Sequence, residues 1–325
     1  MRLLDLLSGA PVTVMLGMCK NAGKTTALCR LIREYAEAGG APCALTSIGR
    51  DGESRDLVTG TDKPPIYLYE GMLAATAEQL LPLCDVSREI LATTGLYTSL
   101  GEVVIFRAKS DGFVQLAGPA IVEHLRPLRQ LFASFGAGSV LIDGALSRKS
   151  PASGATDGVC VLSTGASLHR DLDRVVAETA FAAELLTLPE AALPAPAQGR
   201  ITLFRPDGTA EALVSPADLP RATGERTLAF SGALTDSALK PLLQSSVDKA
   251  GLQILVRDGS CLMLRRETYE AFKARGVRFA VQHSTRLAAV TVNAVSAGGW
   301  VFDRMEFLEK MRAAVAAPVL DVMLE

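Results

Sequence analysis

Residues 17–26 read Gly-Met-Cys-Lys-Asn-Ala-Gly-Lys-Thr-Thr, set between an apolar stretch at 12–16 and a segment of helical period at 24–38. In that segment Ala27, Leu28, Leu31, Ile32, Tyr35 and Ala38 fall on one face, and Gly39-Gly40 stops it. Strand, glycine–lysine loop and helix in this order predict a phosphate-binding loop. The chemistry follows from the parts. Loop amides, including those of Asn21 and Ala22, and the first helical turn at Thr25 and Thr26 point N–H groups at one spot, where the helix end also carries about half a positive charge. Gly17 and Gly23 let backbone approach a phosphate, Lys24 adds a mobile cation, and Thr25 offers a hydroxyl to Mg²⁺. The usual pattern leaves four residues between its first glycine and the Gly-Lys pair, whereas five separate Gly17 from Gly23 and Met18 stands where that glycine belongs. Lys20 adds a second cation inside the loop.

Two acidic positions complete the expected constellation. The apolar strand Val140-Leu141-Ile142 ends on Asp143, which is placed to hold Mg²⁺ opposite a phosphate loop, although a strand-ending aspartate also serves as a turn cap. Asp51 follows the second strand, where an acid aligns the metal or the attacking water, with Glu53 as the alternative for that role. Arg148 and Lys149, just past Asp143, offer cations to phosphate, an acidic substrate or a partner. The run Ser163-Thr164-Gly165-Ala166-Ser167 either contacts a base or caps the helix after it. The six cysteines form no Cys-x-x-Cys pair and read as buried thiols, with Cys19 set apart by its place in the loop. His124, His169 and His283 are dispersed, with no metal-ligand spacing.

Strand patterns at 43–48, 66–69, 102–108, 139–143 and 158–163 alternate with helical patterns at 72–83, 86–93 and 168–186. Another helical region opens at Pro119, and Pro127 is expected to kink or split it. The alternation predicts an α/β fold with a doubly wound, mostly parallel sheet. Hydrophobic residues make up 49% of the chain and aromatics only 5%, which suits the aliphatic core of such a sheet. The Pro/Ala-rich run at 189–199 reads as a linker between a nucleotide-binding domain, 1–188, and a smaller α/β domain, 200–325. With 33 basic against 35 acidic residues there is no electrostatic case for nucleic acid or an anionic membrane. No stretch approaches a membrane span and the N-terminal residues do not pattern as a cleavable signal, so a cytoplasmic location is expected.

Residues 17–26, 48–53, 59–71, 143–150 and 157–167 together resemble the reactivase ATPase subunit that accompanies adenosylcobalamin-dependent lysine or ornithine aminomutases. The likeness covers roughly the first 170 residues well and the remainder poorly. More broadly the chain is similar to the P-loop branch of dethiobiotin synthetase, the nitrogenase iron protein and metallochaperone GTPases. Some of those proteins carry a signature lysine in the loop, one residue earlier than Lys20, and work as homodimers. The resemblance implies an ATPase that changes shape with γ-phosphate state and opens the aminomutase for cobalamin exchange, together with a second reactivase subunit. The residues themselves support nucleotide binding and hydrolysis, with Lys24, Lys20 and Asp51 catalytic. ATP is favoured because no Asn-Lys-x-Asp guanine motif stands out, and GTP is not excluded. Two rivals remain: a dethiobiotin-synthetase-like ligase or kinase acting on a small molecule, and a non-hydrolysing, nucleotide-gated binding module.

Overall fold

The computed structural model describes residues 1–7, 9–51, 65–119, 121–144, 158–195, 199–221 and 226–323, without the side chains of residues 49–51 and 122. The chain divides into two compact units, residues 1–180 with 286–325 and residues 181–285.

The first unit is built on a mixed, mostly parallel sheet of nine strands. In chain order these are β1 (Val12–Gly17), β2 (Cys43–Ser47), β3 (Leu73–Ala77), β4 (Arg88–Thr98), β5 (Gly101–Ala108), β6 (Ser139–Asp143), β7 (Val159–Gly165), β8 (Arg286–Asn293) and β9 (Val319–Asp321). Across the sheet they run β9-β8-β7-β1-β6-β2-β3-β5-β4. All neighbours are parallel as far as β3, and β5 pairs antiparallel with both β3 and β4. From β1 the chain winds first toward β2, then crosses back past β1 to β7. The strand order therefore reverses at β1, the kind of switch point at whose carboxyl end doubly wound sheets bind their ligands.

Both faces of the central strands are covered, which is why their sequences are apolar without alternation. The Lys24–Ala38 helix packs Ala27, Leu28, Leu31 and Ile32 against Met15, Leu45 and Leu141. Each of the larger three helix side chains contributes roughly 1.5–3 kcal/mol by leaving water. On the other face Leu125 and Leu128, from the Leu125–Ser134 helix, line a small cavity with Val12, Val140 and Ile142. Glu34 departs from the expected pattern. It is buried on the first helix, where it accepts hydrogen bonds from the Leu4 amide at 2.7 Å and Arg30 Nε at 3.0 Å, while Ala38 is exposed.

Several expected elements differ. The pattern at 72–83, Ala- and Leu-rich and helical by propensity, is strand β3 followed by a 3₁₀ turn, Glu78–Leu83. A buried slot between β2 and β5 overrides propensity there, since an unpaired helix would leave both neighbours' backbone groups open. Likewise the expected helix at 86–93 gives way to edge strand β4, which begins at Arg88 and whose Thr93-Thr94 pair is β-branched. Residues 112–118 form two short strands, Gly112–Val114 and Leu116–Gly118. Pro127 sits in the first turn of its helix, where its missing N–H costs nothing, so the helix starts there and no kink arises.

The division of the chain also differs from the expected boundary. Residues 286–325 return to the first unit, because β8 and β9 extend its parallel sheet beside β7. The second unit has a five-stranded sheet in the order Ala210–Leu213, Ile201–Phe204, Thr227–Phe230, Gln253–Val256, Arg278–Val281, with the last three parallel. Its core gathers Leu203, Leu228, Leu239, Ile254, Val256 and Phe272. Among the described residues no helix is long and apolar enough to cross a membrane.

Candidate functional site

The site lies at the carboxyl end of β1. Register sets it: Met15 pairs with Asp143 and Gly17 with Ser163, so β6 and β7 end level with the loop that leaves β1. The loop is stitched in place. The Met18 amide donates to the Ser163 carbonyl at 2.8 Å, carrying the strand pairing one residue past Gly17. This is how the extra residue is accommodated, with Met18 held as an extension of the strand. Asn21 turns the chain with φ +60° and Ala22 is buried. Gly23, at φ +90°, is the N-cap of the Lys24–Ala38 helix. A Cβ at Gly23 would be strained in that conformation and would meet the Asn293 Cβ at 3.1 Å. Gly23 also carries no side-chain oxygen for the amides of the first turn, which suits them to an external anion.

Lys24 and Asp143 meet. The Lys24 ammonium is ion-paired to Oδ1 of Asp143, whose side chain is only 1% exposed. The pair joins the start of the helix to the end of β6. The Ile48 amide donates to the Asp143 carbonyl at 2.9 Å, which brings the segment leaving β2 to the same edge. Thr25 and Thr26 are half-buried on the first helical turn, and Lys20 is exposed at the tip of the loop.

Asp51 closes a short strand, Gly49–Asp51, paired antiparallel with Leu116–Gly118, where a loop was expected. The Asp51 side chain lies outside the described residues, as do Glu53, Arg148 and Lys149. Cys19 is half-buried and its thiol is pushed up to about 11 by desolvation, which favours the protonated form near neutrality. Cys29, Cys43, Cys84 and Cys160 also have raised thiols, chiefly through burial. Among the described residues no three His, Cys, Asp or Glu side chains gather as a metal cluster. Mg²⁺ commonly uses one or two carboxylates and completes its shell with phosphate and water, so Thr25 and Asp143 suffice as a protein donor set.

One participant was not foreseen. Asn293, at the end of β8, donates from Nδ2 to the Asn21 carbonyl at 3.4 Å, and its own carbonyl accepts from the Ala166 amide at 2.9 Å. It braces the loop against the ends of β7 and β8. The signal was present, since an apolar strand ending on a polar residue is also how Asp143 announces itself. The Asn293 strand lies past the proline-rich run, with no local sign in the sequence that it returns to this sheet.

No family model matches this chain, and neither a curated protein nor a solved structure matches it.

Proposed function

We propose that this chain binds a nucleoside triphosphate, ATP, at the loop of residues 17–26 and hydrolyses it with Mg²⁺. One observation carries the reading: a lysine at the start of a glycine-capped helix is ion-paired to a buried carboxylate at the end of the adjacent strand. The reversal of strand order at β1 supports it, because ligands of doubly wound sheets bind at that point.

The chemistry of the residues follows. Loop amides and the helix end bind phosphate oxygens. Lys24 leaves Asp143 for those oxygens, which makes the carboxylate available, with the Thr25 hydroxyl, to hold the cation. Mg²⁺ held by Thr25 and Asp143 would supply charge neutralisation at the phosphates. Asp51 orients the attacking water and Lys20 offsets developing negative charge. ATP is favoured over GTP because no Asn-Lys-x-Asp guanine motif stands out in the sequence.

The resemblance of residues 17–26, 48–53, 59–71, 143–150 and 157–167 to an aminomutase reactivase supports coupling hydrolysis to reopening of a cobalamin enzyme. Phosphate release from Mg-ATP tests the proposal. Wild type is expected to turn over, while Asp143→Asn and Asp51→Asn retain nucleotide and lose turnover. Unchanged turnover in Asp143→Asn would overturn the assignment. Release that depends on an added carboxylate or amine substrate would favour the ligase reading. Negligible turnover even with an aminomutase present would favour a gated binding module.

A further inference from the structure

Beyond Asn293 the chain forms a tight hairpin. The Phe302 amide donates to the Ala294 carbonyl at 3.0 Å, the Ser296 amide to the Trp300 carbonyl at 2.9 Å, and the Gly299 amide to the Ser296 carbonyl at 3.1 Å. The hairpin holds Trp300, the one tryptophan of the chain. Its indole Nε1–H donates to the Ala166 carbonyl at 3.0 Å, and the Ala297 amide donates to Ser167 Oγ at 3.2 Å. Both contacts tie the hairpin to the segment that follows β7. The ring rests on Gly298, where a Cβ would come within 2.0 Å of the indole. The exposed guanidinium of Arg170 lies over the ring, 4.9 Å from its centroid.

Beside the indole is an open hollow of about 340 Å³ lined by Arg170, Gly298, Gly299, Trp300, Val301 and Phe302. That volume is within the range of small-molecule sites. Val301 is 62% exposed and Val295, its partner across the hairpin, 46%. Apolar surface is thus left uncovered around a tryptophan fixed by its polar edge.

The position of the hollow narrows what enters it. Asn293 links the hairpin to the glycine–lysine loop. Asp143 and the cation it would hold lie on the β6 side of β1, whereas the hollow lies on the β7 and β8 side. A nucleotide with its terminal phosphates toward Asp143 has the β7 and β8 side, where Trp300 lies, for its other end.

We propose that this hollow receives the purine base of the nucleotide, with Trp300 as its stacking surface and Arg170 as the displaceable cation above it. The proposal rests on the nucleotide reading and adds a base subsite to it. Stacking on an aromatic ring does not discriminate strongly between bases. Selection against guanine comes from the lining, which among the described residues offers the cation Arg170 and no carboxylate.

The single tryptophan makes the test direct. The full chain is titrated with Mg-ATP and, separately, with Mg-tripolyphosphate, reading heat and Trp300 emission together. Mg-ATP is expected to change the emission with the same dissociation constant as the heat. Tripolyphosphate is expected to bind without changing it. Trp300→Ala is expected to lose about tenfold in ATP affinity while tripolyphosphate affinity stays within about twofold. ATP heat with unchanged emission overturns the base subsite and leaves the phosphate loop standing. No heat from either ligand overturns the nucleotide reading and the subsite with it. The wild-type emission titration decides even if Trp300→Ala does not fold.

Discussion

The two units share an α/β pattern, and one helix start in the first unit is built unlike the side-chain-capped starts found in both. In the second unit the protein's own oxygens occupy those positions. Thr235 Oγ1 accepts the Ala238 amide, Asp258 accepts the Ser260 amide at 2.9 Å, and Asp236 accepts the Arg265 amide ahead of the Arg266–Lys273 helix. In the first unit Asp171 and Asp303 cap their segments the same way. The Lys24–Ala38 helix is different, since it begins at a bare glycine in the left-handed region. A capped helix end is stable and chemically finished. An end without such a cap gives up that stabilisation and leaves its first amides without a side-chain oxygen.

Breaking the Lys24–Asp143 pair should have the largest effect. Lys24→Ala removes the cation facing a carboxylate that is 1% exposed, and a loss on the order of 3 kcal/mol in denaturant unfolding is expected. Lys24→Ala combined with Asp143→Ala should recover part of it, and a fully additive double mutant would contradict the pairing.

Next comes Gly23→Ala. Moving a residue with Cβ into φ +90° costs about 1–2 kcal/mol, and the nearby Asn293 side chain must also shift. Gly208→Ala in the second unit carries the same strain at φ +84° with nothing within 4 Å of its Cβ, so it should lie at the low end. Only Gly23→Ala should also weaken nucleotide binding. Equal effects of the two variants on binding would dissolve the distinction between the Gly23 helix start and an ordinary strained glycine.

Removing a cap should be smaller again. Thr235→Ala is expected to cost about 1 kcal/mol by urea unfolding and to leave nucleotide affinity unchanged.

The smallest effect is on acid sensitivity. Burial pushes the Asp236 carboxyl up, but hydrogen bonds with Thr268 and Arg265 outweigh it, so its folded value lies below the ordinary 3.8. A depressed carboxyl stabilises the fold at pH above the ordinary value and loses that contribution as pH falls through the folded one. Asp236→Asn should therefore flatten the acid limb of stability. Hydrogen exchange in the Asp236–Gln244 helix between pH 5 and 3 reads this, and an unchanged slope would remove Asp236 from the account.

Much of this was legible in the sequence, for uneven physical reasons. The loop and its helix were readable because glycine, lysine and a 3.6-residue period are local signals. Strands β1, β2, β6 and β7 were readable because a doubly covered sheet demands unbroken apolar runs. Strands β3 and β4 were not, because Ala- and Leu-rich or Thr-containing segments take their state from neighbours that are distant in sequence. The return of residues 286–325 to the first sheet was hidden for the same reason. A proline-rich run marks a possible break and says nothing of where the chain goes afterward. Asn293 was lost with that boundary, and with it the bracing of the loop.

Whether the glycine-capped start of one helix grips a triphosphate is tested most directly by calorimetric titration of the full chain with Mg-ATP, beside its Lys24→Ala variant. Saturable heat is expected from wild type, with about 2.7 kcal/mol of added stability at a hundredfold excess over the dissociation constant, and both should vanish in Lys24→Ala. No heat from Mg-ATP or Mg-GTP, or equal binding by the variant, would contradict it.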